Sequence, residues 1–318
     1  MEIRLSQRAS GFIAVFAALL AGVLVATQHR INGELGQRLD DGFTAALLSF
    51  TSGWLVLMVV LAASTRGREG VRRLHTEVRA GRLSPWMLLG GLGGGFLVLS
   101  QGLVAGILGV AIFTIATVTG QIVSGMIVDA TGFAGVRRAP VTIPRVIGAA
   151  LTLVAVLVAV GPEVGGQISV AAIVLPLVAG LGIGLQQAVN GRLRREAGSV
   201  LAATTLNFAV GTVALAMVTA VHLVVSGLPE SLPANPWLYF GGAVGAIFIA
   251  IQVAAVARIG VLVLGLCLVA GQLVGALLFD LIVPIGVPAT GATAVAVVLT
   301  LLGVTVASLR RSAHRPRQ

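Results

Sequence analysis

TQHRINGEL (residues 27–35) and LQQAVNGRL (residues 185–193) are two versions of one peptide, and the fold is decided by that recurrence. Gln28 matches Gln186, Asn32 matches Asn190 and Gly33 matches Gly191. The register holds downstream, where ALLSFTSG (46–53) lies over TTLNFAVG (204–211) and pairs Ser49 with Asn207 and Phe50 with Phe208. Beyond a loop of unequal length, a second register sets PWMLLGGLGG (85–94) on PWLYFGGAVG (236–245). It carries Gln101 onto Gln252, Gly109 onto Gly260, Gly120 and Gln121 onto Gly271 and Gln272, and Asp129 onto Asp280. Self-similarity at this length means a duplicated structural unit.

The unit lies in lipid. Apolar residues make up 57% of the 318, charged ones 10%, and the mean hydropathy is +1.03, far outside the range of soluble domains. A helix needs about 20 apolar residues to cross a bilayer. On that measure ten spans are expected, near 9–29, 43–64, 85–106, 109–131 and 144–161, then 169–190, 199–225, 236–257, 260–282 and 288–309. The sequence thus predicts an all-α membrane protein with one five-helix repeat over 1–161 and a second over 162–318, the latter ending in the basic tail LRRSAHRPRQ. Arg4 and Arg8 before span one give it the look of a signal peptide, but its place in the repeat argues against cleavage. Between spans two and three, Val71, Leu74 and Val78 recur at helical spacing among arginines, which predicts a helix on the membrane surface. Five is odd, so the second unit enters from the opposite face. Inverted repeats of this kind are the architecture of secondary transporters.

All 21 basic residues are arginine. With alternating spans and a cytoplasmic N-terminus, only Arg30 and Arg38 fall on the outer side, so both termini are expected in the cytoplasm. Clustering between apolar runs ties this charge to topology and to the lipid bilayer, not to nucleic acid. Cys267 is the single cysteine, and the four histidines are scattered, so no metal site is expected. No phosphate-binding loop or hydrolase triad is present, so neither a cofactor nor an enzyme activity is expected.

QxxxNGxL in span one, SFxxG in span two, and GQ followed by an aspartate in span four resemble the YdcZ-like family of the drug/metabolite transporter superfamily. The resemblance covers nearly the whole chain and is to the fused, ten-helix form. It implies a drug/metabolite transporter-like fold in the bacterial inner membrane, with a central cavity lined by the first four helices of each half and a small-molecule solute as cargo. The superfamily's small exporters use a glutamate in their first helix. Here spans one and six carry no acid before Glu34 and Glu196, a departure from that pattern. A homodimer is left open.

Gln28 and Asn32 stand four residues apart, as do Gln186 and Asn190, so each pair shares a helix face. Amides in lipid turn toward protein, water or ligand. Two readings stand: interhelical packing, or the polar lining of a solute path or its gates. The same choice applies to Gln101 and Gln252, to Gln121 and Gln272 near the midplane, and to Ser49 and Asn207. Asp129 and Asp280 lie near helix C-termini, where a cationic partner is expected: Arg137 or Arg138 for Asp129, Arg30 or Arg38 for Asp280. They are either pinned helix ends or groups coupling transport to protons. A neutral, polar cavity favours a small polar or weakly charged organic solute. A passive channel, or a scaffold or lipid-handling protein, are the competing readings.

Overall fold

The computed structural model describes residues 2–161 and 169–309. Among these, nine helices are long and apolar enough to cross a membrane: Phe12–Leu39, Gly42–Ala63, Pro85–Leu108, Val110–Thr131, Ile143–Val160, Val170–Ala197, Val200–Ser226, Val263–Ile282 and Gly291–Ser308. The apolar but shorter Pro236–Gln252 supplies span eight and completes ten. Lipid offers no hydrogen-bond partners, so the backbone must satisfy itself, and helix does this within each segment. Side chains close the helix ends. Asp41 caps span two by accepting from the Phe43 and Thr44 nitrogens, and Ser199, its counterpart, caps span seven through Ala202. The corner at Asp41 marks one membrane face, the Asp41 face, and the cap at Ser64 before the surface helix Thr65–Arg79 marks the other, the Ser64 face.

Spans three and four are separated by Gly109 (φ 80°, ψ 161°), and spans eight and nine by Gly260 (φ 74°, ψ 168°). That backbone region is open to glycine and strained for other residues, which explains why both copies keep glycine at the break.

The two halves interlock. Span one packs along span nine, where a Cβ on Gly22 would stand 2.2 Å from the Leu268 carbonyl and one on Gly271 2.0 Å from that of Leu19. Span six packs along span four by the matched contact, Gly180 against Thr117 and Gly120 against Leu177. Small residues let helices approach in lipid, where dispersion and weak polar contacts replace the hydrophobic drive. Spans two and seven meet through stacked Phe50 and Phe208 (4.6 Å), each ring filling the space over the other's helix at Gly211 and Gly53. Toward the Asp41 face, Asn32 of span one meets Gly241 at the start of span eight; toward the Ser64 face, Asn190 of span six lies beside Gly90 at the start of span three. Each half supplies the counterpart of the other's contact, as an axis lying in the membrane plane requires.

Three expectations need correction. Span one does not end near residue 29; its helix runs to Leu39, and span six runs to Ala197 instead of 190. The polar residues of span one do not end its helix, because charges pair along it: Glu34 lies buried inside span one between Arg30 (3.3 Å) and Arg38 (2.6 Å). Glu34 thus joins Asp129 and Asp280 as an acid within the spans. The surface helix does more than face lipid. Leu74 is buried against Leu193 and Ala197, and Gly67 and Gly70 pack on Leu201 and Ser199, so it docks onto the ends of spans six and seven. Just beyond it, Arg82 hydrogen-bonds Glu77 through two nitrogens (2.6 and 2.7 Å), which holds that carboxyl below the usual glutamate range. The basic tail from residue 310 and the start of the second repeat at 162 lie outside the described residues.

Candidate functional site

A cavity of 130 Å³ lies between the halves. Span six presents Gln186, Asn190 and Arg194 to it at successive helical turns, span one presents Gln28, and span seven presents Asn207. Phe50 and Phe208 line it from the contact between spans two and seven. Glycines give the amides their room: a Cβ on Gly245 would stand 2.8 Å from Gln28 Nε2, and one on Gly94 3.3 Å from Gln186 Oε1. Asn207 Nδ2 donates to Asn190 Oδ1 at 2.6 Å. Gln186 Oε1 and Asn207 Oδ1 are buried without a partner. An unmet buried polar group costs about 1–3 kcal/mol, so these two atoms favour any occupant able to bond them.

Toward the Asp41 face the matched residues are shut. Asn32, Ser49 and Gln101 are fully buried, and Asn32 Nδ2 donates to Gln101 Oε1. Gly241 sits on Asn32 and Ser49, while Gly33 and Gly36 of span one press on Gly106 and Gly102 of span three; a Cβ on Gly36 would lie 2.0 Å from the Gly102 carbonyl oxygen. Toward the Ser64 face one matched contact is kept, since Asn207, the counterpart of Ser49, is buried under Gly91 as Ser49 is under Gly242, but the seam of span six with span eight is loose. Gly191 has only Arg195 near it, at 3.9 Å, Gln252 and Asn190 are half-buried, and the position matching Gly36 is Arg194, whose side chain is exposed at the cavity mouth. The seam of span one with span three is closed where the matching seam of span six with span eight is open.

The other sequence-selected residues lie apart from the cavity. Gln121 and Gln272 stand on the glycine seams between spans four and six and between spans nine and one. Asp129 is bridged to Arg145 at 2.7 Å, not to Arg137 or Arg138. Asp280 does not ion-pair with Arg30 or Arg38; its two oxygens accept from the Val110 (2.9 Å) and Ala111 (2.7 Å) nitrogens. The physical reason is that the helix end opposite matters more than its own: the first turn of span four offers free N–H groups and the positive end of a helix dipole. His29 of span one hydrogen-bonds Thr114 of span four through Nδ1 at 3.0 Å.

Arg194 belongs to no motif shared by the two copies. Its signal was a mismatch, an arginine where the first copy has glycine.

The sequence profile described as "Putative inner membrane exporter, YdcZ" matches this chain twice, over residues 13–158 and 171–306. The chain belongs to the YdcZ family. It carries two copies of the YdcZ unit and is, with that family, a multi-pass inner membrane transporter protein. A solved structure described as "Crystal structure of protein" is 20% identical, with a TM-score of 0.54 over 94% of this chain and 96% of its own, and is similar to it in fold. No curated protein matches the chain.

Proposed function

We propose that this protein is a secondary transporter that exports a small polar or weakly charged organic solute by alternating access, with the Ser64 face in the cytoplasm. One observation carries the reading: the seam of span one with span three is packed at one face, and the seam of span six with span eight, equivalent by the repeat, is open at the other. The Asn32–Gln101 contact between spans one and three closes the Asp41 side, and its counterpart, Asn190 with Gln252 between spans six and eight, is unmade. Two inverted units of similar sequence can exchange closely related conformations at little net cost. When Asn190 leaves Asn207 for Gln252, the Ser64 side shuts; when Asn32 leaves Gln101, the Asp41 side opens. The seams of spans one with nine and four with six move as units.

The arginine distribution supports the orientation. Arg66 to Arg82 flank the Ser64 face, and Arg30 and Arg38 stand toward the Asp41 face. The cavity is then in the loading state of an exporter. The amides lining it bind without a charge of their own, and Asp129 and Asp280 brace helix ends.

A thermal-shift screen of small metabolites on the purified protein, followed by uptake of each hit into proteoliposomes, tests this reading. Saturable uptake that is lost in Gln186→Ala and Asn207→Ala, with both variants folded, supports it. Electrogenic flux without saturation points to a passive channel. Stabilisation by lipids alone points to a scaffold or lipid-handling protein.

A further inference from the structure

We infer that the solute is a small organic monoanion with an apolar body, whose negative group is read by Arg194. The inference rests on the transport reading and names the cargo of the same cavity. Arg194 is the one charged side chain in the lining, and among the described residues it forms no ion pair; its neighbour Glu196 is held by Arg192 at 2.8 Å. Opposite charge is therefore missing from the cavity and must come from the occupant. A cation is disfavoured on the same ground, since no carboxylate lines the cavity to receive it.

Polarity along the cavity runs in order. Arg194 lies at the mouth, Asn190 and Gln186 follow one and two turns deeper on the same face, and Asn207, nine-tenths buried or more, leaves its Oδ1 unpartnered inside. Gln28 and Thr204 complete the polar lining, and the remaining walls are apolar, with Phe50, Phe208 and Phe248 among them. A carboxylate suits a guanidinium, which presents paired donors to it. An apolar pocket of about 150 Å³ holds a benzene-sized body, so 130 Å³ sets the scale of the rest.

Arg194 also bears on closure. Its counterpart Gly36 has no side chain, and the closed side is built on that lack, because the Gly102 carbonyl fills the space. Arg194 carries the Cβ that Gly36 lacks, so span six cannot meet span eight as tightly at this level, but closing the Ser64 side still brings a guanidinium toward a packed seam. An unpaired charge resists such burial and a paired one resists it less, so the anion promotes the closing that carries it across.

The test uses benzoate with two analogues of the same shape, neutral benzamide and cationic benzylamine, on purified protein by titration calorimetry and in proteoliposomes by uptake. Benzoate is expected to bind at least about tenfold more tightly than either, a preference worth about 1.4 kcal/mol, and added salt is expected to weaken it. Arg194→Gln should abolish the preference, Arg194→Lys should keep part of it, and Arg195→Gln should leave it intact. Benzamide or benzylamine bound or carried as well as benzoate overturns the assignment while the transport reading stands. So does an unchanged preference in folded Arg194→Gln. Should Arg194→Gln fail to fold, the wild-type preference and its salt dependence decide alone. Failure of every solute to bind or cross, these three and the metabolite screen together, overturns both.

Discussion

At the scale of single residues, the same residue type does different work according to what faces it. Asp280 and Asp129 are matched by the repeat, yet one caps a helix and the other bridges an arginine. Their removal should therefore differ. Asp280→Ala leaves two buried backbone N–H groups without acceptors and should cost about 2 kcal/mol, near the top of the range for lost caps. Asp129→Ala breaks a partly exposed ion pair and should cost about 1 kcal/mol or less. Chemical denaturation of the two variants in detergent measures the difference, and an equal loss would refute the assignment of roles. At Gly241, a Cβ would stand 2.1 Å from Asn32 Oδ1, so Gly241→Ala must displace Asn32 from Gln101. That variant should expose the Asp41 side, read as faster labelling of a cysteine at Ser49 by an impermeant thiol reagent than in its absence. The matched residues Gln28, Asn32, Gln186 and Asn190 were legible from the repeat. Which of them share the cavity was not, since burial depends on the state each half has adopted.

At the scale of helices, glycine marks where backbones touch. A Cβ on Gly180 would meet the Thr117 carbonyl at 2.1 Å, and backbone cannot step aside as a side chain can. Gly180→Val and Gly22→Val should each destabilise the protein by about 3 kcal/mol, the upper end for overpacking, or prevent folding. Gly125, with nothing near its missing Cβ, provides the comparison, and Gly125→Ala should shift stability by no more than about 0.5 kcal/mol. Thermal denaturation of the set reads this pattern, and a uniform response would count against the seams. The number and order of spans followed from hydropathy, because a bilayer imposes length directly. The ends of spans one and six did not. Arg30, Glu34 and Arg38 look like the start of a loop, and only their mutual pairing across successive turns keeps them in helix. The breaks at Gly109 and Gly260 were visible as a matched pair, but their positive φ values belong to the backbone and leave no other mark in sequence.

At the scale of the molecule, the duplication was readable because mutation has left the contact residues of both halves recognisable, and an odd number of spans fixes their opposition. The asymmetry between the halves was not readable, since two similar sequences held in different conformations look the same in one dimension. That asymmetry is what the transport reading needs. It is tested most directly by cross-linking with a short bifunctional thiol reagent in a Cys267→Ser background, with cysteines placed at 32 and 101 or at 190 and 252. The account predicts that the first pair links readily, that the second links in a fraction of molecules that grows during turnover, and that either link stops transport. Transport that proceeds while positions 190 and 252 never link would contradict it.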